Sequence, residues 1–191
     1  MSPTDPPCQL PVNNVAVYCA SADGIDPVYR TAAAQLGREL ARRGVGVIYG
    51  GASVGLMSAV ADAVLAEGGR VIGVIPEVLV TMEVAHDALT ELHITETMHT
   101  RKALMAERAD AFIVLPGGFG TLEELFEVLA WQTLKIHAKP VLLLNTNGFY
   151  NKMLAFLDHC VTEGMLRAKA RAVVLVADTV QEALEKLGIA S

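Results

Sequence analysis

The chain has 191 residues, of which 52% are hydrophobic, and its formal net charge is -6. A chain of that length can form one sizeable hydrophobic core and is short for two independent ones. The scattered Lys and Arg residues argue against a surface that binds a nucleic-acid backbone. No run of about 18 apolar residues escapes a charged residue or a Gly or Pro break, so a membrane-spanning helix is not expected either.

The N-terminal stretch 1–12 is rich in Pro and has neither the basic nor the apolar segment of an export signal. We expect a disordered tail there, followed by a single domain over 13–191 in a cytoplasmic protein. Cys8, Cys19 and Cys160 form no CxxC pair, which fits reduced thiols and gives no disulfide framework or zinc knuckle.

Apolar runs alternate with helical patterns along the rest of the chain. The predicted strands cover residues 15–19, 45–49, 71–75, 111–115, 140–144 and 172–176. The predicted helices cover residues 28–43, 56–67, 97–108, 121–136, 150–163 and 179–187. Near-continuous apolar strands between helices are typical of a parallel sheet covered on both faces. We therefore expect an α/β fold: a doubly wound, mostly parallel sheet in a Rossmann-like three-layer sandwich.

Ligands of such sheets bind at the carboxyl ends of the strands, where Gly-rich loops follow the first, second and fourth predicted strands. The second loop contains Gly50, Gly51 and Gly55 and leads into a helix, whose N-terminus favours an anion. A phosphate cradle and a plain tight turn explain these glycines equally well. The loop lacks the Lys of a Walker A motif and the spacing of a dinucleotide-binding motif, and no acidic residue follows the second strand, so NAD is disfavoured.

The stretch 76–96 is long and polar and interrupts the regular rhythm, as a lid or binding loop would. It contains Glu83, His86 and His93. Together with His99 these histidines have no metal-ligand spacing, so no metal site is expected.

Gly117, Gly118, Phe119 and Gly120 form a further Gly-rich loop before the fourth predicted helix. The next four residues, TLEE (121–124), have the Thr-x-x-Glu spacing of a capping box, in which Thr121 would cap and Glu124 would reach back. Acidic residues in a first turn, Glu123 among them, also complement the helix dipole. The alternative is that Glu124 points into a ligand cavity at this edge of the sheet.

Arg101 and Lys102 lie near the start of a predicted helix, where the dipole disfavours cations. A bound anion or a carboxylate partner would compensate them, and the alternative is a solvated basic turn. Further along, Phe126 and Trp131 have the spacing of an apolar helix stripe, which serves either the core or a subunit interface.

Three segments together carry a family resemblance: GGASVGLM (50–57), MHTRK (98–102) and LPGGFGTLEE (115–124), followed by Trp131. Over about residues 15–163 the chain resembles the LOG ("Lonely Guy") family of cytokinin riboside 5′-monophosphate phosphoribohydrolases, whose members are often labelled lysine decarboxylases. The resemblance implies cleavage of the N-glycosidic bond of an N6-substituted adenosine 5′-monophosphate, with release of the free base and ribose 5-phosphate. It also implies a homodimer and no cofactor.

Carried over by motif, Arg101 and Glu124 match the catalytic pair of the family. Its nucleotide-contacting positions are matched by Glu83, Lys102, Gly117, Gly118, Phe119, Gly120, Thr121 and Glu123. To these we add, as candidate substrate-binding residues of the earlier loop, Gly50, Gly51, Gly55 and Met57. One departure is Ala20 in the first loop, where the family has Gly, and its methyl group narrows that loop's approach to a ligand.

One other function competes with this interpretation, and a second, lysine decarboxylation, is rejected. A non-enzymatic carrier or sensor of a phosphorylated nucleotide or cofactor, such as the molybdenum cofactor, would need the anion cradle but no carboxylate at the glycosidic carbon. A lysine decarboxylase would need pyridoxal phosphate in a larger framework. The choice between plain and N6-substituted adenosine monophosphate stays open, because it depends on the shape of the stretch 76–96.

Overall fold

Seven parallel strands form one sheet in the computed structural model, which describes residues 11–80 and 85–189. The strands are β1 (Asn14–Tyr18), β2 (Gly46–Tyr49), β3 (Val71–Pro76), β4 (Glu91–Thr95), β5 (Ala111–Val114), β6 (Val141–Leu144) and β7 (Val174–Ala177). Their order across the sheet is β4-β3-β2-β1-β5-β6-β7. Glu83 and the first ten residues of the predicted tail lie outside the described residues.

Helices cover both faces of this sheet. They are α1 (Val28–Arg42), α2 (Gly55–Ala66), α3 (Glu77–Val80), α4 (Met98–Arg108), α5 (Phe119–Thr133), α6 (Asn151–Thr162), α7 (Ala168–Arg171) and α8 (Val180–Lys186), with a short 3-10 turn at Thr146–Gly148. Alternate residues of β1 point to opposite layers: Val15 packs against α1, α2 and α8, and Ala16 against α4 and α5. The predicted doubly wound, three-layer α/β fold is confirmed.

The stretch 76–96 is more regular than its sequence predicts, because it contains α3 and the edge strand β4. In β4 partly buried residues alternate with the exposed Leu92 and Ile94, and the strand pairs with β3 alone. An edge strand with one exposed face lacks the continuous apolar run that marked the other strands. The interpretation of the whole stretch as an irregular loop was therefore wrong for residues 91–95.

The order of the strands reverses at β1, which pairs with β2 on one side and β5 on the other. The chain leaves β1 and β5 toward opposite layers, and this divergence opens a crevice at their carboxyl ends. The loops after β1, β2 and β5 all end at this crevice.

Candidate active site

A cleft of about 280 Å³ lies at the carboxyl ends of β1, β2 and β5. Its walls come from the loops that follow these strands and from the starts of α2, α4 and α5. Of the residues predicted for the site, it brings together Gly50, Met57, Arg101, Gly118, Phe119, Gly120, Thr121, Glu123 and Glu124. The other described candidates, Gly51, Gly55, Lys102 and Gly117, do not line it.

The helix α5 begins two residues earlier than predicted, at Phe119, with Gly118 as its N-cap and no side-chain cap. The predicted capping box of Thr121 and Glu124 is therefore wrong. Thr121 lies within the first turn, and its side chain packs so closely on Gly117 that a Cβ there would stand 2.1 Å from the Thr121 hydroxyl oxygen. Glu124 is consequently free of a capping role.

The first turn of α5 presents backbone donors to the cleft. The N–H groups of Phe119, Gly120 and Thr121 precede the first intrahelical bond, in which Leu122 donates to the Gly118 carbonyl. The three residues with free N–H groups line the cleft, and Gly118 and Gly120 add no side chain to it; a Cβ on either would meet no atom within 4 Å. Such a helix start suits an anion.

Arg101 of α4 and Glu124 of α5 face each other in the cleft with side chains 9% and 10% exposed. The closest approach, Arg101 Nη2 to Glu124 Oε1, is 3.6 Å, which is longer than a hydrogen bond. Arg101 Nη1 contacts the sulfur of Met98 at 3.8 Å, and the buried Nε has no partner among the described residues. The guanidinium therefore keeps most of its hydrogen-bonding capacity for something that enters the cleft.

Burial raises the pKa of Glu124 to about 7, and the attraction of Arg101 offsets only part of that rise. At neutral pH the carboxyl group is thus poised between its neutral and charged forms. On the same wall, burial also raises the pKa values of Cys19 and Tyr18, so both groups stay protonated.

Gly50 makes room for the arginine. A Cβ at this position would stand 2.4 Å from Arg101 Nη2 and 3.0 Å from the sulfur of Met57. A side chain at position 50 would therefore displace the end of the Arg101 side chain, and glycine lets the guanidinium reach Glu124 across the end of β2.

The start of α2 is covered by the loop that follows β1. The Leu56 N–H donates to the Ala20 carbonyl at 3.1 Å, and a Cβ on Gly55, whose φ is +57°, would lie 2.3 Å from the carbonyl carbon of Ser21. Gly51 also has a positive φ, of +79°. Gly51 and Gly55 therefore serve a tight turn and a close backbone approach, which was one of the two explanations that the sequence left open.

Lys102 lies between carboxylates instead of facing the cleft. Its ammonium group pairs with Glu123 and, at 3.0 Å, with Glu127, and its side chain is 6% exposed. The carboxylate partner expected for these cations is present, and the alternative of a solvated basic turn is excluded, since both cations are buried. This ion pair ties α4 to α5 next to the catalytic candidates.

Several residues that line the cleft were not predicted as site residues, among them Tyr18, Ala22, Met98 and Met105. The available signal was positional. Met98 precedes Arg101 by one helical turn and therefore lies on the same face of α4, and the residues after Tyr18 follow the central strand at the ligand-binding edge.

No helix of the described residues is long and apolar enough to cross a bilayer. Within the same residues no three His, Cys, Asp or Glu side chains converge as a metal site would require. His86 pairs with Asp62 at 2.9 Å and His93 with Glu91 at 3.1 Å.

Residues 57–187 match the family described as "Possible lysine decarboxylase". The cytokinin riboside 5′-monophosphate phosphoribohydrolase LOG of Oryza sativa subsp. japonica is 50% identical over 173 residues, which are 91% of this chain and 72% of that protein. LOG7 of Arabidopsis thaliana, which has the same enzyme name, is 47% identical over 91% of this chain and 80% of its own length. Among solved structures, the molybdenum cofactor carrier protein of Chlamydomonas reinhardtii aligns with a TM-score of 0.68 at 23% identity, covering 92% of this chain and 95% of that one. The last similarity concerns the fold alone.

Proposed function

We propose a function from the premise that this chain belongs to the LOG family of cytokinin riboside 5′-monophosphate phosphoribohydrolases, which carries the family description "Possible lysine decarboxylase". The chain is an N-glycosyl hydrolase: it cleaves an adenosine 5′-monophosphate-type nucleotide into the free base and ribose 5-phosphate. The observation that carries this function is the buried Glu124 carboxyl group facing Arg101 across the cleft.

The phosphate of the substrate binds at the start of α5. The free N–H groups of Phe119, Gly120 and Thr121 supply hydrogen bonds, and the helix dipole favours negative charge at that end. Gly118 and Gly120 leave the approach open because they lack side chains. The protein's net charge of -6 makes such a local anion site necessary, since the overall field repels a phosphate.

Glu124 acts on the ribose one helical turn further along α5. As the bond from C1′ to the base nitrogen breaks, its electron pair leaves with the base and positive charge develops on the sugar. The Glu124 carboxylate stabilises that charge and accepts a proton from the water that attacks C1′, the departing base takes up a proton from solvent, and Glu124 then returns its proton to solvent. Its pKa of about 7 suits this role, because a general base works best when its pKa is near the working pH.

Arg101 positions the substrate and the carboxylate together. Its unpaired donors are available to ribose or phosphate oxygens, and its charge attracts the Glu124 carboxylate. We therefore assign the catalytic pair to Arg101 and Glu124, and substrate contacts to Gly50, Met57, Gly118 and the first turn of α5.

A carrier of a phosphorylated cofactor explains this site less well. A carrier would use the open N–H groups of α5 but would gain nothing from a carboxyl group that is buried at a cost in stability. The likeness to the molybdenum cofactor carrier concerns the fold alone.

The experiment is an incubation with adenosine 5′-monophosphate and with its N6-isopentenyl derivative, followed by chromatography of the free base. Release of adenine or isopentenyladenine is expected, and the ratio of the two rates ranks the substrates. Glu124→Gln should abolish release, whereas Glu127→Gln, which changes a carboxylate of α5 that does not line the cleft, should retain most of it. Binding without release in the wild-type protein would support the carrier instead.

The chain forms a homodimer through the outer face of α5. This face exposes Phe119, Phe126 and Leu134, an apolar stripe that begins at the mouth of the cleft. Light scattering should give the mass of two chains, and Phe126→Asp should give the mass of one. Phe156→Asp, on the exposed side of α6, is the matched control. A monomer at every concentration of the wild-type protein would refute the assignment.

The cytoplasm is the location that fits the thiols best. Cys19 and Cys160 are both free, and Cys19 lies in the wall of the cleft, where oxidation would alter the site. Fractionation of cells that express the chain should recover it with cytoplasmic markers, and recovery in a secreted fraction would contradict this.

A further inference from the structure

The wall of the cleft that α2 and α4 form contains three methionines, and one of them is partly exposed. Met57, Met98 and Met105 all line the cleft. Met57 and Met105 are 7% and 0% exposed, whereas Met98 is 38% exposed. Oxidants reach exposed thioethers first, so Met98 is the cleft methionine open to attack.

Met98 also touches the catalytic arginine. Its sulfur lies 3.8 Å from Arg101 Nη1, one helical turn away on α4. A thioether is a weak acceptor, so this contact leaves the guanidinium directed toward Glu124. The separation of 3.6 Å between Arg101 and Glu124 is not closed by a hydrogen bond, and a stronger acceptor on Met98 would compete with it.

From this geometry we propose that Met98 is an oxidation site through which hydrogen peroxide switches off the active site; the inference rests on the proposed function. The sulfur gives two electrons to the peroxide, whose O–O bond breaks. One oxygen atom becomes the sulfoxide oxygen, and the other leaves as water with both peroxide protons. Reduction of the sulfoxide by two thiols restores the thioether and releases water and a disulfide.

The sulfoxide oxygen acts on the site in two ways. It accepts a hydrogen bond from Arg101 and draws the guanidinium away from Glu124 and the substrate. It also turns an apolar wall of the cleft polar, where the base of the nucleotide would pack. Both effects lower activity, and together they should reduce kcat/KM by about tenfold or more.

The test treats the protein with hydrogen peroxide and measures the oxidation of each methionine by peptide mass spectrometry. Activity is followed as adenine release from adenosine 5′-monophosphate. Loss of activity should track Met98 oxidation, and bound adenosine 5′-monophosphate should slow that oxidation without protecting Met165, which is 84% exposed. Treatment with a methionine sulfoxide reductase and a thiol should restore activity.

Two variants make the test specific. Met98→Leu removes the sulfur and should keep most of its own untreated activity after peroxide, whereas Met165→Leu should lose activity as the wild-type protein does. Full Met98 oxidation with unchanged activity, or equal losses in Met98→Leu and wild type, would overturn the proposal. If the untreated protein releases no adenine, the proposed function fails. The affinity for adenosine 5′-monophosphate is then compared before and after Met98 oxidation. A weaker affinity supports the inference, and an unchanged affinity overturns it.

Discussion

Replacement of Glu124 by Gln should stabilise the protein while it removes activity. Burial of this carboxyl group raises its pKa from the ordinary 4.5 to about 7, so the folded state binds the proton more tightly than the unfolded state does. Below pH 4.5 both states are protonated and the free energy of unfolding is unaffected. Between pH 4.5 and 7 the folded state loses stability, and above pH 7 the loss is complete.

The size of that loss follows from the shift. At 1.36 kcal/mol per pH unit, a rise from 4.5 to about 7 corresponds to about 3 kcal/mol. Gln resembles the neutral carboxyl group in shape and lacks its charge, so the variant escapes the loss. Glu124→Gln should therefore exceed the wild-type free energy of unfolding by about 3 kcal/mol at about pH 8 and by almost nothing at about pH 4.5.

Urea unfolding at these two pH values measures the difference, with adenine release followed on the same samples. Activity should fall by about 10²- to 10⁴-fold, as for the loss of a general base. Glu123→Gln is the control; it loses its ion pair with Lys102 and should gain no stability at either pH. An equal free energy of unfolding for Glu124→Gln and wild type at the higher pH would refute the burial argument, and full turnover would refute the catalytic role.

Three further predictions concern the same cleft. The kcat/KM of the wild-type protein should rise with pH, reach half its maximum at about pH 7 and level off above, because the carboxylate form of Glu124 is the active one; a profile flat down to about pH 5 would contradict this. Gly50→Ala should lower kcat/KM by about tenfold or more while circular dichroism stays native, since its Cβ would stand 2.4 Å from Arg101 Nη2; wild-type kinetics would show that Arg101 needs no such space. Gly120→Ala should raise the free energy of unfolding, measured in urea, by up to about 1 kcal/mol, because Ala favours the helix. It should also weaken nucleotide binding, measured by calorimetry, because its methyl group enters the open space before the backbone donors. An unchanged affinity would place the phosphate elsewhere.

The fold could be predicted from the sequence because most strands are buried on both faces. Every residue of the strand Ala111–Val114 is buried, so the strand appears in the sequence as an unbroken apolar run and can be recognised from the sequence alone. The edge strand β4 escaped prediction because it alternates and has a neighbour on one side only. The apolar sequence pattern therefore predicted the buried strands and missed the strand at the edge of the sheet.

The site was predictable in its residues and less so in their roles. Spacing alone made Glu124 a cap, but Gly118 begins the helix without any side chain, which glycine does acceptably at an N-cap. The pairing of Arg101 with Glu124 joins residues of two helices, and it was the family resemblance, not the spacing, that linked them. Gly55 is needed because the backbone of the loop after β1 lies against it, and the sequence around Gly51 and Gly55 does not show where that loop lies.

The central pairing of the sheet has a consequence for how the molecule acquires its activity. Val15 of β1 lies beside Ala111 of β5, a partner far along the chain, so this contact closes a long loop and forms slowly. A nascent chain that ends within α4 already contains Arg101 but not the helix that bears Glu124. Such a chain can carry no hydrolytic activity. Because nucleotide binds only the completed cleft, we expect that it accelerates no early step of folding. We expect that it slows unfolding once the sheet has formed.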